Sequence, residues 1–93
     1  MAKFQKRPLE VEAVQVKTEV MSYFTEHPIW LSKAYDNGTL TSKIGPNGQL
    51  ILVKTPEGTM IAHDRDWIVR GITGEIYPCK PEIFAATYDP LED

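Results

Sequence analysis

The chain has 93 residues, of which 42% are hydrophobic and 25% charged, and its formal net charge is −3. These values are typical of one small globular domain spanning 1–93, and the negative charge disfavours broad binding to duplex nucleic acid. The sequence has neither an apolar run of about 18 residues nor a signal-peptide core, which predicts no membrane segment. A single cysteine cannot form an internal disulfide, so we expect a cytoplasmic protein.

The first secondary-structure signal follows a short basic lead-in that contains Lys6 and Arg7. Apolar and polar residues alternate over 9–17, with one change of phase at Val14, which predicts a half-buried first strand. We expect 1–7 and the acidic end 89–93 to be frayed tails.

A helical segment is predicted next. Thr18 can cap a short helix that contains Met21 and Phe24. A second helix is predicted from Pro28 to Asp36, because proline suits a helix start and the Asn-Gly pair that follows suits its end. Trp30 on this helix belongs either to the core or to the floor of a site.

The rest of the chain reads mainly as strands. Turn signals at 45–48 and 55–58 separate three short strands, and a turn at 71–74 separates two more. Pro81 then begins a short helix to Ala86. The sequence therefore predicts one small α+β domain: a mainly antiparallel β-meander of five or six strands, a helical segment after strand one, and a short C-terminal helix.

Four residues around the last two predicted strands form the favoured candidate site: Trp67, Arg70, Tyr77 and Lys80. The two cations suit a phosphate and the two aromatic rings suit a stacked base. Trp67 and Arg70 are three residues apart, so an unbroken strand would place them on opposite faces. The alternative interpretation is that the two rings are core and the two cations ordinary surface residues.

Metal binding and nucleophilic catalysis have weaker signals in the sequence. The histidines and Cys79 show no metal-ligand spacing, so no metal or cofactor is predicted. Cys79 lies beside Lys80, whose ammonium could lower the thiol pKa, but no partner that would orient a nucleophile is identifiable. The sequence favours a protein that is not an enzyme.

Two motifs carry a resemblance to a known family. Residues 4–13 read Phe-x-Lys-x-Pro-x-x-Val-x-Ala, and residues 66–84 read Asp-Trp-Ile-x-x-Gly-x-x-Gly-Glu-x-Tyr-Pro-Cys-Lys-Pro-x-Ile-Phe. The chain resembles, over nearly its whole length, a largely uncharacterised family of small proteins from tailed phages and prophages. The resemblance implies a phage context and a shared fold, and carries over no catalytic mechanism. Arg65 stands where the family usually has glycine, so a positive φ there would strain its backbone.

These observations favour a non-catalytic phage accessory protein in the host cytoplasm that binds a nucleotide-like anion, for example to sequester a host defence signal. One alternative is an inhibitor module that contacts a host protein through an edge strand or through Asp64–Asp66. A second alternative is an enzyme that uses Cys79. A domain this small can complete its core by pairing, so a homodimer is also expected.

Overall fold

The computed structural model describes residues 1–5, 9–20, 22–46 and 48–91. Within those ranges the chain forms six strands and two helices. In chain order they are β1 Glu12–Gln15, α1 Ile29–Asp36, β2 Leu40–Gly45, β3 Gly48–Thr55, β4 Gly58–Ala62, β5 Trp67–Arg70, β6 Ile76–Cys79 and α2 Pro81–Thr87. The predicted α+β class with antiparallel strands is confirmed.

The strands form two sheets, so the prediction of one meander is wrong. One three-stranded sheet has the order β1-β5-β6 and the other the order β2-β3-β4, and every pairing is antiparallel. The separation occurs at 63–66, which does not form a tight hairpin between β4 and β5. Arg65 N–H instead donates to Val16 O at 2.7 Å and Val16 N–H donates to Asp66 O at 2.8 Å, so the chain leaves β4 and pairs with β1.

The backbone of Arg65, within this connection, is strained. Its φ is +72°, so the strained backbone expected for a side chain at this position is present. The strain is held by the two ladder bonds to Val16 and by Gln15, whose Nε2 donates to Arg65 O at 2.9 Å.

The sheet β2-β3-β4 matches the prediction closely. Gly45 pairs with Gly48 and Thr55 pairs with Gly58, which leaves two residues in each turn. Gly58 has a φ of +123°, a conformation that favours glycine. Of the predicted turn at 45–48, Asn47 lies outside the described residues.

Two of the three predicted helices, those that follow Pro28 and begin at Pro81, are present, whereas the described residues after Thr18 form turns. Helix α1 follows Pro28 and ends at Asp36, as expected, and α2 begins at Pro81. Thr18 N–H donates to Asp64 Oδ1 at 2.8 Å, and an isolated bridge joins Val16 to Phe24, so the intervening chain turns back on itself. The predicted helix residue Met21, the basic residues Lys6 and Arg7, and the end of the tail at 92–93 lie outside the described residues.

One apolar cluster lies between α1 and the inner faces of both sheets. Its buried members come from β1, α1, all three strands of the second sheet, β5, and the turn at Phe24: Val14, Val16, Phe24, Leu31, Ala34, Leu40, Ile51, Val53, Ala62 and Ile68. Burial begins at Val14 because the strand starts at Glu12, later than the predicted start at Leu9, which is 49% exposed. Among the described segments, no helix is long and apolar enough to cross a membrane.

Candidate functional site

The structure does not bring the four predicted site residues together. Trp67 pairs with Cys79 and Val69 pairs with Tyr77, so the two aromatic rings share the outer face of the β1-β5-β6 sheet. Arg70 pairs with Ile76 on the inner face. The separation of Trp67 from Arg70 is the one expected for residues three apart on an unbroken strand.

The rings on the outer face hold helix α2 against the sheet. Trp67 stacks on Phe84 with ring centroids 4.2 Å apart and planes inclined by 9°. The Tyr77 hydroxyl hydrogen-bonds the Tyr88 hydroxyl at 3.0 Å. Burial, and then this hydrogen bond, raise the pKa of Tyr77 well above its usual range. Both predicted aromatic residues therefore stabilise the fold through α2.

Lys80 has a structural partner. Its Nζ lies 3.0 Å from Asp66 Oδ2, and the Asp66 side chain is only 5% exposed. The same carboxylate oxygen accepts the His63 N–H at 2.9 Å. A buried carboxylate needs such partners, so Lys80 neutralises Asp66, and an external anion at Lys80 would compete with this pairing.

The surroundings of Cys79 favour its thiol form. Burial raises the pKa of Cys79, and the carboxylates of Asp66 and Glu82 raise it further. The Lys80 ammonium, which could have lowered that pKa, is hydrogen-bonded to Asp66 instead. The environment therefore disfavours the thiolate that a nucleophilic role requires.

Arg70 lines a cleft of about 410 Å³ between α1 and the inner face of the β1-β5-β6 sheet. Helix α1 contributes Trp30 and Lys33 to the cleft lining, the residue after the helix contributes Asn37, and β6 contributes Ile76. Trp30 and Ile76 also pack against the buried core. Trp30 therefore contacts the core, which is one of its two predicted positions, and it also lines this cleft.

The helical period places the α1 contribution on one side. Residues 30, 33 and 37 recur at intervals of three and four, so they lie along one stripe of the helix. The Asn37 Oδ1 accepts the Thr39 N–H at 3.0 Å and the Thr39 hydroxyl at 2.6 Å, so its NH₂ group remains as the donor. The cleft therefore combines an indole, two cations and an amide.

Arg70 differs from Lys80 in how firmly it is paired. Its Nη1 lies 3.8 Å from Glu12 Oε2, and the two side chains are 41% and 64% exposed. Exposed ion pairs of this kind contribute little stability, so the guanidinium can exchange its partner at small cost. Lys33 forms no ion pair with any residue that the structure describes. The cleft lining thus has two cations and one carboxylate, Glu12, and just outside the lining Arg70 also helps to lower the pKa of Glu75.

Lys33 and Asn37 were missed by reasoning from the sequence. The helical stripe was detectable, because both follow Trp30 at helical spacing. Their approach to Arg70 was not detectable, because it depends on how α1 packs on strands that occur more than 30 residues later.

Comparisons with known proteins give no further information about the site. The chain matches no family model, no curated protein and no solved structure at a significant level. In the part of the chain that the structure describes, no three His, Cys, Asp or Glu side chains cluster as a metal ion would require.

Proposed function

We propose that this chain is a non-catalytic binding protein that holds a nucleotide-like anion in the cleft between α1 and the β1-β5-β6 sheet. The observation that carries the proposal is the convergence of Trp30, Lys33 and Arg70 on one cleft of about 410 Å³. An indole offers a flat surface for a base, and the two cations offer partners for phosphate.

Size and charge support this ligand class. Ligand clefts are commonly about 300–1,000 Å³, and this cleft falls within that range. Arg70 can hold a phosphate through two parallel hydrogen bonds, whereas Lys33 acts as a point charge. Glu12 opposes them with one negative charge, so the lining keeps a net positive balance. Its partial apolar character from Ile76 favours a ligand with an organic ring over inorganic phosphate.

The biological setting is part of the proposal. The Asp66–Phe84 motif resembles proteins of tailed phages and prophages, which supports an accessory role in the cytoplasm of an infected host. A small protein that binds a nucleotide and does not transform it can act by sequestration, for example of a host defence signal. The environment of Cys79, which favours the thiol, supports binding over nucleophilic catalysis.

A thermal-shift screen tests the proposal with adenosine and guanosine monophosphates, linear dinucleotides and cyclic dinucleotides, with ribose 5-phosphate and free nucleosides for comparison. A ligand at 100 times its dissociation constant adds about 2.7 kcal/mol to the free energy of unfolding. For a domain of this size, we expect the melting temperature to rise by about 10 °C or more. A nucleotide should give this shift, whereas ribose 5-phosphate and the free nucleosides should not.

Matched variants locate the site. Lys33→Ala and Arg70→Ala should each abolish most of the shift, because each removes a cation of the cleft. Lys43→Ala, an exposed lysine on the other sheet, should keep it. Lys80→Ala should also keep the shift while lowering the starting melting temperature, because Lys80 pairs with Asp66 away from the cleft. Loss of the shift in Lys80→Ala alone would contradict the cleft. A flat screen would favour the alternative, an inhibitor module that binds a host protein.

A further inference from the structure

Three of the four sheet edges are protected against pairing with another chain. The edge of β1 is covered where Thr25 N–H donates to Gln15 O at 3.0 Å. The edge strand β6 contains Pro78, which has no N–H to offer. The edge strand β2 carries Lys43, and a charged side chain on an edge strand discourages pairing.

Within the described residues, the fourth edge, β4, has none of these devices. Strand β4 reads Gly-Thr-Met-Ile-Ala, without a charged residue or a proline. Met60 is 45% exposed and Ile61 is 46% exposed. In the described part of the chain, β4 pairs with β3 alone. An uncharged, apolar edge of this kind is a template for adding a strand.

The register of the β3–β4 hairpin identifies the backbone groups that face outward. Its two-residue turn makes Thr55 and Gly58 a hydrogen-bonded pair, and hydrogen-bonded pairs recur at every second position. Met60 and Ala62 therefore bond to β3. Thr59 and Ile61 direct their N–H and C=O groups away from the sheet.

We propose that β4 is a dimerisation edge, where two copies of this chain pair antiparallel around a two-fold axis at Met60. Thr59 of one copy faces Ile61 of the other, and the two hydrogen-bonded pairs form four backbone hydrogen bonds. The two Met60 side chains meet at the axis as a non-hydrogen-bonded pair, the type in which side chains lie closest. The two β2-β3-β4 sheets become one continuous six-stranded sheet.

The occupant is a second copy because the strand is complementary to itself. In this register methionine faces methionine and threonine faces isoleucine, so no like charges oppose each other. The same patch serves both partners, as a closed two-fold dimer requires. The cleft at Arg70 lies on the other sheet, so dimerisation and ligand binding are separable.

Disulfide trapping tests the register directly, in a Cys79→Ser background that removes the native thiol. Facing Cα atoms of a non-hydrogen-bonded antiparallel pair are about 4.5 Å apart, within the range of about 4.4–6.8 Å that a disulfide spans. Met60→Cys should therefore cross-link into a covalent dimer under mild oxidation. Thr59→Cys and Ile61→Cys, tested separately, should not, because in each case the introduced thiol faces an unmodified residue.

Sedimentation equilibrium of the unmodified chain provides the second measurement. We expect the average mass to rise with concentration from 10.5 kDa towards twice that value. Met60→Lys should stay at the monomer mass, because it places two ammonium groups at the axis, and circular dichroism should verify that the variant is folded. A constant monomer mass for the unmodified chain would overturn the proposal. It would do so even if β4 were found to accept a peptide from another protein. Equal cross-linking by all three cysteine variants would overturn it too.

Discussion

The two sheets of this domain are similar in size but differ in how far apart in the chain their paired strands lie. In the β2-β3-β4 sheet each strand pairs with the next strand along the chain through a two-residue turn. In the β1-β5-β6 sheet the first strand pairs with one more than 50 residues later, as in the pair Val14 and Ile68. A long-range pairing must offset the entropy of closing a large loop, so it needs contacts beyond its own ladder.

Those contacts are concentrated in the connection 63–66. Asp66 accepts hydrogen bonds from His63 N–H and Lys80, Asp64 accepts one from Thr18 N–H, and Arg65 O accepts one from Gln15. The same sheet also carries the α1 cleft on its inner face and helix α2 on its outer face. The sheet with the candidate site therefore depends on a few side chains, and single substitutions should affect it more than the other sheet.

The largest expected effect is at Asp66. Asp66→Ala leaves His63 N–H without its acceptor and removes the partner of Lys80, and charge-assisted hydrogen bonds contribute about 1.5–3 kcal/mol each. We expect the free energy of unfolding, measured by urea denaturation, to fall by about 3 kcal/mol. Asp66→Asn keeps an acceptor for His63 N–H and should lose about half as much. A loss under about 0.5 kcal/mol in Asp66→Ala would show that the connection does not close the sheet.

The aromatic attachment of α2 should give the next largest effect. Phe84→Ala removes the ring stacked on Trp67 and should lower the free energy of unfolding by about 2 kcal/mol, less than the about 3–5 kcal/mol of a fully buried phenylalanine. In a Trp30→Phe background, the emission of Trp67 should shift to longer wavelength as the indole meets water. Ile83→Ala, at a 55% exposed neighbour on the same helix, is the control and should change neither quantity. Equal effects of Phe84→Ala and Ile83→Ala would contradict docking of α2 through Phe84.

Backbone strain offers a direct test of the difference between the sheets. Arg65 has a φ of +72° in the connection to β5, whereas Gly58 supplies a φ of +123° in the β3–β4 turn. Arg65→Gly should raise the free energy of unfolding by about 1 kcal/mol, because relief of a left-handed side chain outweighs the added freedom of the unfolded chain. Gly58→Ala should lower it by about 1 kcal/mol or more. Arg65→Ala keeps the strained backbone and should not raise the free energy of unfolding. If it raised that free energy as much as Arg65→Gly does, the effect would come from loss of the arginine side chain and not from relief of strain.

The same difference explains how much of the molecule could be predicted. Both turns of the β2-β3-β4 sheet are encoded by adjacent glycines and prolines, so the three strands followed from local sequence alone. The pairing of β1 with β5 has no local signal. Thr18 illustrates the consequence, because its capping potential predicted a helix, whereas its N–H is taken by Asp64 from a distant turn. Tertiary contact overrode local propensity.

The candidate site divides in the same way. The opposite faces of Trp67 and Arg70 followed from their spacing, which is a property of one strand. That Trp30, and not Trp67, lines the cleft with Arg70 depends on where α1 packs. The pairing of Lys80 with Asp66 depends on a 3.0 Å contact between residues 14 positions apart. The chemistry that each residue offers was predictable from the sequence. Which residues lie close together was not, because that depends on packing between elements far apart in the chain.

The smallest expected effect is the acid sensitivity of the connection at Asp64. The hydrogen bond from the Thr18 N–H, at 2.8 Å, lowers the pKa of Asp64 below its ordinary value of 3.8. A carboxyl group with a lowered folded-state pKa adds stability above its unfolded-state pKa, and that stability disappears as the pH falls through the folded-state value. The contribution is therefore present at neutral pH and is lost below about pH 4. The side chain is 40% exposed, so the effect is small.

Melting temperatures between pH 7 and pH 2.5 measure this contribution by comparing the unmodified chain with Asp64→Asn. We expect the variant to melt lower at neutral pH by a constant margin, and the margin to narrow in acid as the Asp64 carboxylate becomes protonated. Glu75→Gln is the matched comparison on the turn 71–74, because the hydrogen bond from Thr73 likewise lowers the pKa of Glu75. Since that turn joins β5 to β6 locally, a wider margin for Asp64 than for Glu75 would show that the long-range connection depends more on its carboxylate. Margins that persist unchanged to pH 2.5 would mean that neither charge contributes to closing the sheet.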